Sequence, residues 1–291
     1  MEPTGPDRLT KGTSAYHPEE LLRYRIVGTG PHSVVLLHGF AASGHTWDEL
    51  VPFFPPDIYT LHLLDLKGHG SSTKSSGNDY SPLHNACLVA AHIRSHGLNN
   101  VTLIGHSLGG VVGLLCALDC PDITRLILLD APVFPQKIPR FMRILRLPFL
   151  GPLLMSALPP EKIARKGLEA VFYRQERITG QLVERYAAVY RRQGSARALA
   201  RTVRQIVPPG SAELTARYNT LPIPVLILWG EHDRVVKPWQ ADRLHRELRD
   251  SQLIVIPDCG HNPHEELAEQ TFGLIRDFLT SCYVDKRTFT C

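Results

Sequence analysis

The sequence lacks the apolar segments that mark secreted or membrane-spanning proteins. Residues 1–8 contain no apolar stretch of the kind that a signal peptide requires. The strongly apolar stretch 141–155 is broken by two prolines and a glycine and carries arginines. It is therefore too short and too polar for a transmembrane helix of about 20 apolar residues. We expect a cytoplasmic protein without a transmembrane segment.

Metal-binding cysteine patterns and nucleic-acid recognition motifs are also missing. The six cysteines are scattered without the spacing of a metal site. Cys116 and Cys120 lie four residues apart on a predicted helix, a placement that fits packed thiols better than a redox pair. The net charge of +4 is not accompanied by a nucleic-acid motif. We expect no metal and no nucleic-acid partner.

A nucleophile motif is the most informative feature that the sequence does contain. Gly105-His106-Ser107-Leu108-Gly109 follows an apolar, strand-like run and precedes a helix-like stretch. Its glycines suit a sharp strand-to-helix turn that strains the serine and exposes its hydroxyl above the sheet. Ser107 is the predicted nucleophile. The Leu108 N–H, at the positive end of the helix, is a predicted oxyanion donor.

An aspartate and a histidine much further along the chain complete a predicted triad with Ser107. A serine hydroxyl needs a general base and a carboxylate that orients the base, in the order Ser, Asp, His. Asp233 follows the apolar strand 225–229, and His261 follows the strand 253–256. Both positions lie where an open α/β sheet carries its functional side chains. Asp130 also ends a predicted strand and remains the alternative acid.

The loop after the predicted strand 34–37 supplies a second oxyanion donor, the N–H of Phe40, while Gly39 lets the backbone approach the reaction centre. Asp65 and the Gly-His-Gly loop after the next strand fit a bracing role better than a chemical one. The predicted substrate pocket is lined by His38, Gly39, His106, Phe141, Leu145 and Val235.

An insertion divides the predicted α/β unit. Strand-like and helix-like segments alternate in residues 1–133 and 221–291, where six strands can be placed and a seventh lies around 22–27. Residues 134–220 lack strand signals and consist of helix-like segments broken by proline and glycine. A connection of this length predicts a helical cap over the site. We call residues 134–220 the cap segment.

The cap segment is strongly basic. It contains 16 Lys and Arg against 5 Asp and Glu, a net charge of +11, which leaves −7 on the remainder. A cationic lid of this kind would steer an anionic substrate, an acyl carrier or an anionic membrane surface towards the site. The alternative is that the arginines form solvated helix faces whose stems cover apolar surface. Peripheral membrane contact through the cap segment is thus left open.

With these motifs in order, the chain resembles the α/β-hydrolase superfamily, specifically its cap-bearing branch. The resemblance implies a mostly parallel eight-stranded sheet flanked by helices, with an inserted cap and neither metal nor organic cofactor. Lys67 departs from the family pattern, which often has proline there. A serine at the nucleophile position disfavours epoxide hydrolase and haloalkane dehalogenase chemistry. The motifs are His38-Gly39-Phe40, Asp65–Ser72, Gly105–Gly110, Trp229–Asp233 and Gly260–Glu266.

These features predict a serine hydrolase that cleaves a carboxylic ester or a related acyl substrate through an acyl-enzyme. The same residues would serve carbon–carbon hydrolysis of a vinylogous diketone, a thioesterase or a lactonase. A different class is the small-molecule receptor, which would keep an intact triad and use its cap as a switch. The expected partner is a small acyl compound, anionic ones included. Monomer and homodimer both remain open.

Overall fold

A seven-stranded sheet organises the chain. The computed structural model describes residues 20, 22–74, 77–137, 140–147, 149–207 and 209–284, with the backbone alone for 140, 141 and 282–284. The strands are β1 (Tyr24–Val27), β2 (His32–Leu37), β3 (Tyr59–Leu64), β4 (Val101–His106), β5 (Ile123–Leu129), β6 (Val225–Gly230) and β7 (Ser251–Ile256). Their order is β1-β3-β2-β4-β5-β6-β7. β1 pairs antiparallel with β3, and the other pairs are parallel.

This sheet confirms the predicted mostly parallel α/β architecture. It includes the strand predicted around 22–27, which is β1. An eighth strand, implied by the family resemblance, is not found among the described residues. The central strands β4 and β6 are buried along their whole length, which explains their continuous apolar sequence.

Two apolar clusters cover the faces of the sheet. Alternate strand residues point to opposite faces, so Val35 and Leu37 of β2 join one cluster, while Val34 and Leu36 join the other. The first cluster is closed by helices α1 (Pro82–Ser95), α2 (Leu108–Ala117) and α9 (Trp239–Glu247), and the second by α11 (Ala268–Val284). A short helix, α10 (Pro263–Glu266), precedes α11.

Six α-helices, two short 3-10 helices and no strand occupy the described residues of the cap segment. The α-helices are α3 (Arg140–Leu145), α4 (Leu150–Ala157), α5 (Pro160–Val171), α6 (Gly180–Arg191), α7 (Ser195–Gln205) and α8 (Ser211–Thr215). A separate apolar cluster joins α5 to α6 through Ala164, Leu168 and Ala187. None of the described helices combines the length and apolarity that crossing a bilayer would demand.

Lys67, the departure from the family pattern, takes part in a buried ionic cluster. Its Nζ donates to Glu20 Oε1 at 2.6 Å, and His84 Nε2 lies 2.6 Å from Glu20 Oε2. Burial opposes ionisation of Glu20, but hydrogen bonds from Lys67 and His84 hold the pKa of its carboxyl below the usual value. The cluster ties the chain before β1 to the loop after β3 and to α1. Cys116 and Cys120 are buried free thiols.

Candidate active site

Ser107 lies on the turn between β4 and α2 in a strained backbone conformation. Its φ of +50° falls in the left-handed region that residues with a side chain rarely adopt. Backbone hydrogen bonds hold it there: the Ser107 N–H donates to Leu129 O at 2.9 Å, and its carbonyl accepts from Gly110 N at 3.0 Å. Strand β5 and the first turn of α2 therefore fix the predicted nucleophile.

Close backbone approaches explain two glycines near this turn. A Cβ at Gly109 would lie 2.2 Å from the carbonyl oxygen of Leu37, a distance that no side chain tolerates. A Cβ at Gly39 would lie 2.8 Å from His106 Nδ1 and 3.2 Å from the Cβ of Ser107. The loop after β2 can thus pack directly against the serine.

Both predicted oxyanion donors border this position. Leu108 is the first residue of α2, so its N–H has no acceptor within the helix. Phe40 follows Gly39 in the loop that packs against Ser107, and Phe40, Ser107 and Leu108 all line one cavity. Phe40 and Leu108 therefore stay the predicted oxyanion donors.

Asp233 and His261 form a buried hydrogen-bonded pair. His261 Nδ1 lies 2.8 Å from Asp233 Oδ2, so the imidazole donates from Nδ1 to the carboxylate and keeps Nε2 as its basic nitrogen. The other carboxylate oxygen accepts from the N–H groups of Val235 at 2.7 Å and Val236 at 3.1 Å. Burial opposes ionisation of Asp233, but His261 and these donors hold its pKa below the usual value.

Asp130, the alternative acid, lies next to this pair. Its Oδ1 accepts from Gly230 N at 2.9 Å, while its Oδ2 has no hydrogen-bond partner among the described residues. Burial, followed by the negative charge of Asp233, raises the Asp130 pKa well above its usual value. Of the two carboxyls, Asp130 is therefore the one that binds a proton more readily.

One group of side chains in the described part of the chain has the spacing of a possible metal site. It consists of Asp130, Asp233 and His261. Their ligand atoms all lie within 4.8 Å of one another. However, His261 Nδ1, the nitrogen nearest the carboxylates, already donates to Asp233. The arrangement suits an imidazole held by an acid better than it suits a shared cation.

A buried carboxylate, to which the sequence assigned no role, connects the cap segment to the His261 loop. Glu266 Oε2 accepts from Tyr173 N at 2.8 Å and from Arg174 N at 2.9 Å, and its Oε1 accepts from Gly260 N at 3.0 Å. The N–H of His261 itself donates to Val171 O, at the end of α5, at 2.8 Å. We call these contacts the cap latch.

A neighbouring carboxyl, Glu265, makes a second contact with the cap segment. It is buried and accepts from the Tyr186 hydroxyl of α6 at 2.7 Å and from Asn262 Nδ2 at 2.6 Å. Burial raises its pKa to about 7, although these hydrogen bonds act in the opposite direction. The sequence signal for both residues is the adjacent acidic pair four and five residues after His261.

Two further histidines pack around His261. His106 Nε2 lies 2.8 Å from the carbonyl oxygen of His261, and His264 Nε2 lies 2.8 Å from the Thr46 hydroxyl. Burial lowers the pKa of His264 to about 3 and lowers that of His106 well below its usual value. Both rings are neutral at pH 7, so they support the loop by packing and hydrogen bonding.

A largely apolar cavity of about 730 Å³ contains the predicted nucleophile and base. Of the predicted pocket residues, Gly39, His106, Leu145 and Val235 line it. The side chain of Phe141 lies outside the described residues. Lys162, Arg165 and Lys166 of α5 place cations in the same lining.

His38 and Asp65 lie behind the site. His38 does not line the cavity because both of its ring nitrogens face the backbone: Nδ1 donates to Gly39 O at 2.7 Å and Nε2 accepts from Leu66 N at 3.0 Å. Asp65 accepts from Gly44 N and from Ser71 N, each at 2.7 Å. Its carboxylate thus ties together two loops beside the site, as the bracing interpretation expects.

Among curated proteins, this chain is similar to hydrolases from bacteria and mammals. It is 27% identical over 252 residues to the uncharacterized hydrolase YugF of Bacillus subtilis, a match that covers 86% of this chain and 90% of that protein. It is 28% identical over 284 residues to the monoacylglycerol lipase ABHD6 of Mus musculus, covering 92% of this chain and 82% of that protein.

A solved structure and a family model give the same placement. The epoxide hydrolase CorEH superposes with a TM-score of 0.78, covering 90% of this chain and 95% of its own, and its 23% identity shows a shared fold alone. The model of the alpha/beta hydrolase family matches residues 34–273, from β2 into α11. This chain is a member of the alpha/beta hydrolase family.

Proposed function

We propose that the protein is a serine hydrolase that cleaves a carboxylic ester or a related acyl substrate. The observation that carries this proposal is the buried 2.8 Å hydrogen bond from His261 to Asp233, at a cavity that also contains Ser107 on its strained turn. A base oriented by a carboxylate, beside a serine and free backbone donors, is the arrangement that acyl transfer requires.

The proposed reaction runs through an acyl-enzyme. His261 Nε2 takes the proton of the Ser107 hydroxyl as the oxygen attacks the substrate carbonyl, and Asp233 stabilises the resulting imidazolium. The N–H groups of Leu108 and Phe40 hold the oxyanion. The leaving group departs with the proton from His261, and a water molecule activated by the same nitrogen releases the acid.

The cavity supports a substrate with an extended apolar acyl part. Its lining includes Leu145, Leu154, Ile163 and Val207, and such walls favour hydrocarbon over polar groups. The similarity to a monoacylglycerol lipase supports an ester over the alternatives. Carbon–carbon hydrolysis, thioester or lactone cleavage and a receptor role remain the alternatives to exclude.

Covalent labelling tests the nucleophile. A fluorophosphonate probe reacts with activated serines, so we expect it to label the wild-type protein and to fail with Ser107→Ala, which should also lose ester hydrolysis. Ser281→Ala, which removes an exposed hydroxyl on α11, should label and hydrolyse as the wild type does. Undiminished hydrolysis by Ser107→Ala would remove the proposed mechanism.

A substrate panel separates the alternatives. We expect repeated turnover of p-nitrophenyl esters, with kcat/KM rising with acyl chain length until the cavity is filled. A vinylogous diketone and an acyl thioester should be cleaved more slowly. Preference for the diketone would identify a carbon–carbon hydrolase, and release of a single equivalent of product from every substrate would identify a receptor.

A further inference from the structure

An exposed apolar surface covers α3, α4 and the turn between them. Nearly half of the large apolar side chains that are exposed in the described part of the chain lie between residues 144 and 158. We call this surface the α3–α4 face. Its exposed apolar residues are Ile144, Leu147, Phe149, Leu150, Leu153, Leu154 and Leu158.

Phe149 is the most prominent residue of this face. Its side chain is 90% exposed, and its backbone has a φ of +66° in the left-handed region. Leu153, one turn further along α4, is 65% exposed. An aromatic side chain held in water by a strained backbone is unfavourable on a surface that stays hydrated. These features fit a surface that a binding partner covers while the protein is active.

The stretch of chain that carries the face bears charge of one sign. Residues 131–160 contain no Asp or Glu, while Lys137, Arg140, Arg143 and Arg146 are all cationic. The side chains of Arg143 and Arg146 are exposed on the same stretch as the apolar residues. A partner suited to this face therefore offers hydrocarbon together with negative charge.

The face is continuous with the wall of the active-site cavity. Ile144, Leu154 and Leu158 belong to the exposed set and also line the cavity. Lys162 and Lys166 line the cavity and have exposed side chains. They follow Leu158 in the sequence by four and eight residues. The three apolar residues thus connect the α3–α4 face to the cavity that contains Ser107.

We propose that the α3–α4 face docks on an anionic lipid bilayer. Phe149 and Leu153 enter the acyl region, and Arg143 and Arg146 contact the headgroups. A second copy of the chain is the other apolar occupant. Face-to-face pairing about a two-fold axis would, however, bury the cations of both copies in one interface, and their like charges disfavour it. An anionic bilayer satisfies the apolar and the charged residues together.

Vesicle co-sedimentation tests this proposal apart from the proposed reaction. Binding is measured with Ser107→Ala as the background, so it does not depend on hydrolysis. The probes are vesicles of phosphatidylcholine alone and of phosphatidylcholine mixed equally with phosphatidylglycerol. We expect binding to the mixed vesicles, weaker binding to the neutral ones, and loss of the difference at high salt.

Two variant pairs separate the apolar and charged contributions. Phe149→Ser with Leu153→Ser should weaken binding to both vesicles by at least about tenfold for each residue removed. Arg143→Gln with Arg146→Gln should weaken binding to the mixed vesicles by about fivefold for each cation, and should leave binding to neutral vesicles nearly unchanged. The matched controls lie elsewhere on the surface: Ile58→Ser with Val255→Ser, and Arg246→Gln with Arg249→Gln.

Each remaining outcome decides against the proposal. Equal binding to neutral and mixed vesicles would exclude the charged contact, and wild-type binding by the Phe149, Leu153 pair would exclude the face. Sedimentation velocity that shows a dimer dissociated by the same pair would assign the face to a second copy. With Ser107 restored, an unchanged rate on a soluble short-chain ester shows that the variants remain folded.

Discussion

Asp130 follows β5 and Asp233 lies after the neighbouring strand β6, and their surroundings shift their pKa values in opposite directions. Asp233 accepts from His261 and from two backbone N–H groups, so it is stable as an anion. Asp130 has one backbone donor and lies beside that anion, so burial and the neighbouring charge raise the pKa of its carboxyl. The two acids therefore differ in how strongly each holds a proton.

Amide substitutions distinguish the two acids. Asp233→Asn should lower kcat by about four orders of magnitude, since the amide can no longer fix the imidazole tautomer. Asp130→Asn keeps an oxygen that accepts from Gly230 and leaves the His261–Asp233 hydrogen bond in place, so we expect most of the activity to remain. Steady-state kinetics on one ester measures both. The reverse pattern would assign the acid to the end of β5.

Glu265 makes stability depend on pH. Its folded pKa of about 7 exceeds the ordinary value of 4.5, so folding favours the protonated form and stability is lost as pH rises from about 4.5 to 7. Glu265→Gln removes that loss. The variant should resemble the wild type near pH 4.5 and gain up to about 3 kcal/mol in the free energy of unfolding above pH 7.

Denaturant unfolding at several pH values measures this difference. Glu269→Gln, which changes an exposed carboxyl on the following helix, is the matched control and should show no such trend. A difference between Glu265→Gln and wild type that stays constant from pH 4.5 to 8 would contradict the buried, protonated carboxyl.

At the scale of elements, the end of α5 and the His261 loop behave as one unit. Glu266 binds N–H groups from both of them, and the His261 N–H donates to α5. Three hydrogen bonds with cap-segment backbone therefore hold the loop of the proposed general base. The cap latch thus helps to position the imidazole.

Glu266→Gln should damage this positioning. An amide cannot accept on both of its ends, so its NH₂ group would face backbone donors and leave them unpaired. We expect a loss of about 2–4 kcal/mol in stability and a fall in kcat of roughly tenfold or more, with KM changed much less. The exposed Glu176→Gln is the control. Equal kcat in folded Glu266→Gln would limit Glu266 to a structural role.

At the scale of the whole molecule, the sequence predicted elements that local patterns encode. Apolar runs that precede Ser107, Asp233 and His261 identified β4, β6 and β7, because buried parallel strands are apolar on both faces and carry polar groups just after their ends. The family match from β2 into α11 confirms the fold class. The assignment of the triad, the oxyanion donors, the boundaries of the cap segment and a cytoplasmic location stay predictions.

Contacts between distant parts of the chain could not be predicted in the same way. Glu266 and Tyr173 are separated by 93 residues, and nothing in either segment reports the other. His38 follows a strand as pocket residues do, yet its ring turns towards backbone partners that only the folded loops supply. Helix packing decides which cap residues line the cavity, and periodicity within one helix does not determine it.

The cap latch also limits which segments can be exchanged between related hydrolases. Recombining caps between relatives treats residues 134–220 as an interchangeable module, joined at its two ends. Here residues 171–174 have to be kept with the α/β core, because their backbone hydrogen bonds hold the loop of His261. A chimera that receives a whole cap from a relative would gain the relative's specificity, but His261 would be displaced. Exchanging α3 and α4 alone would leave His261 in place.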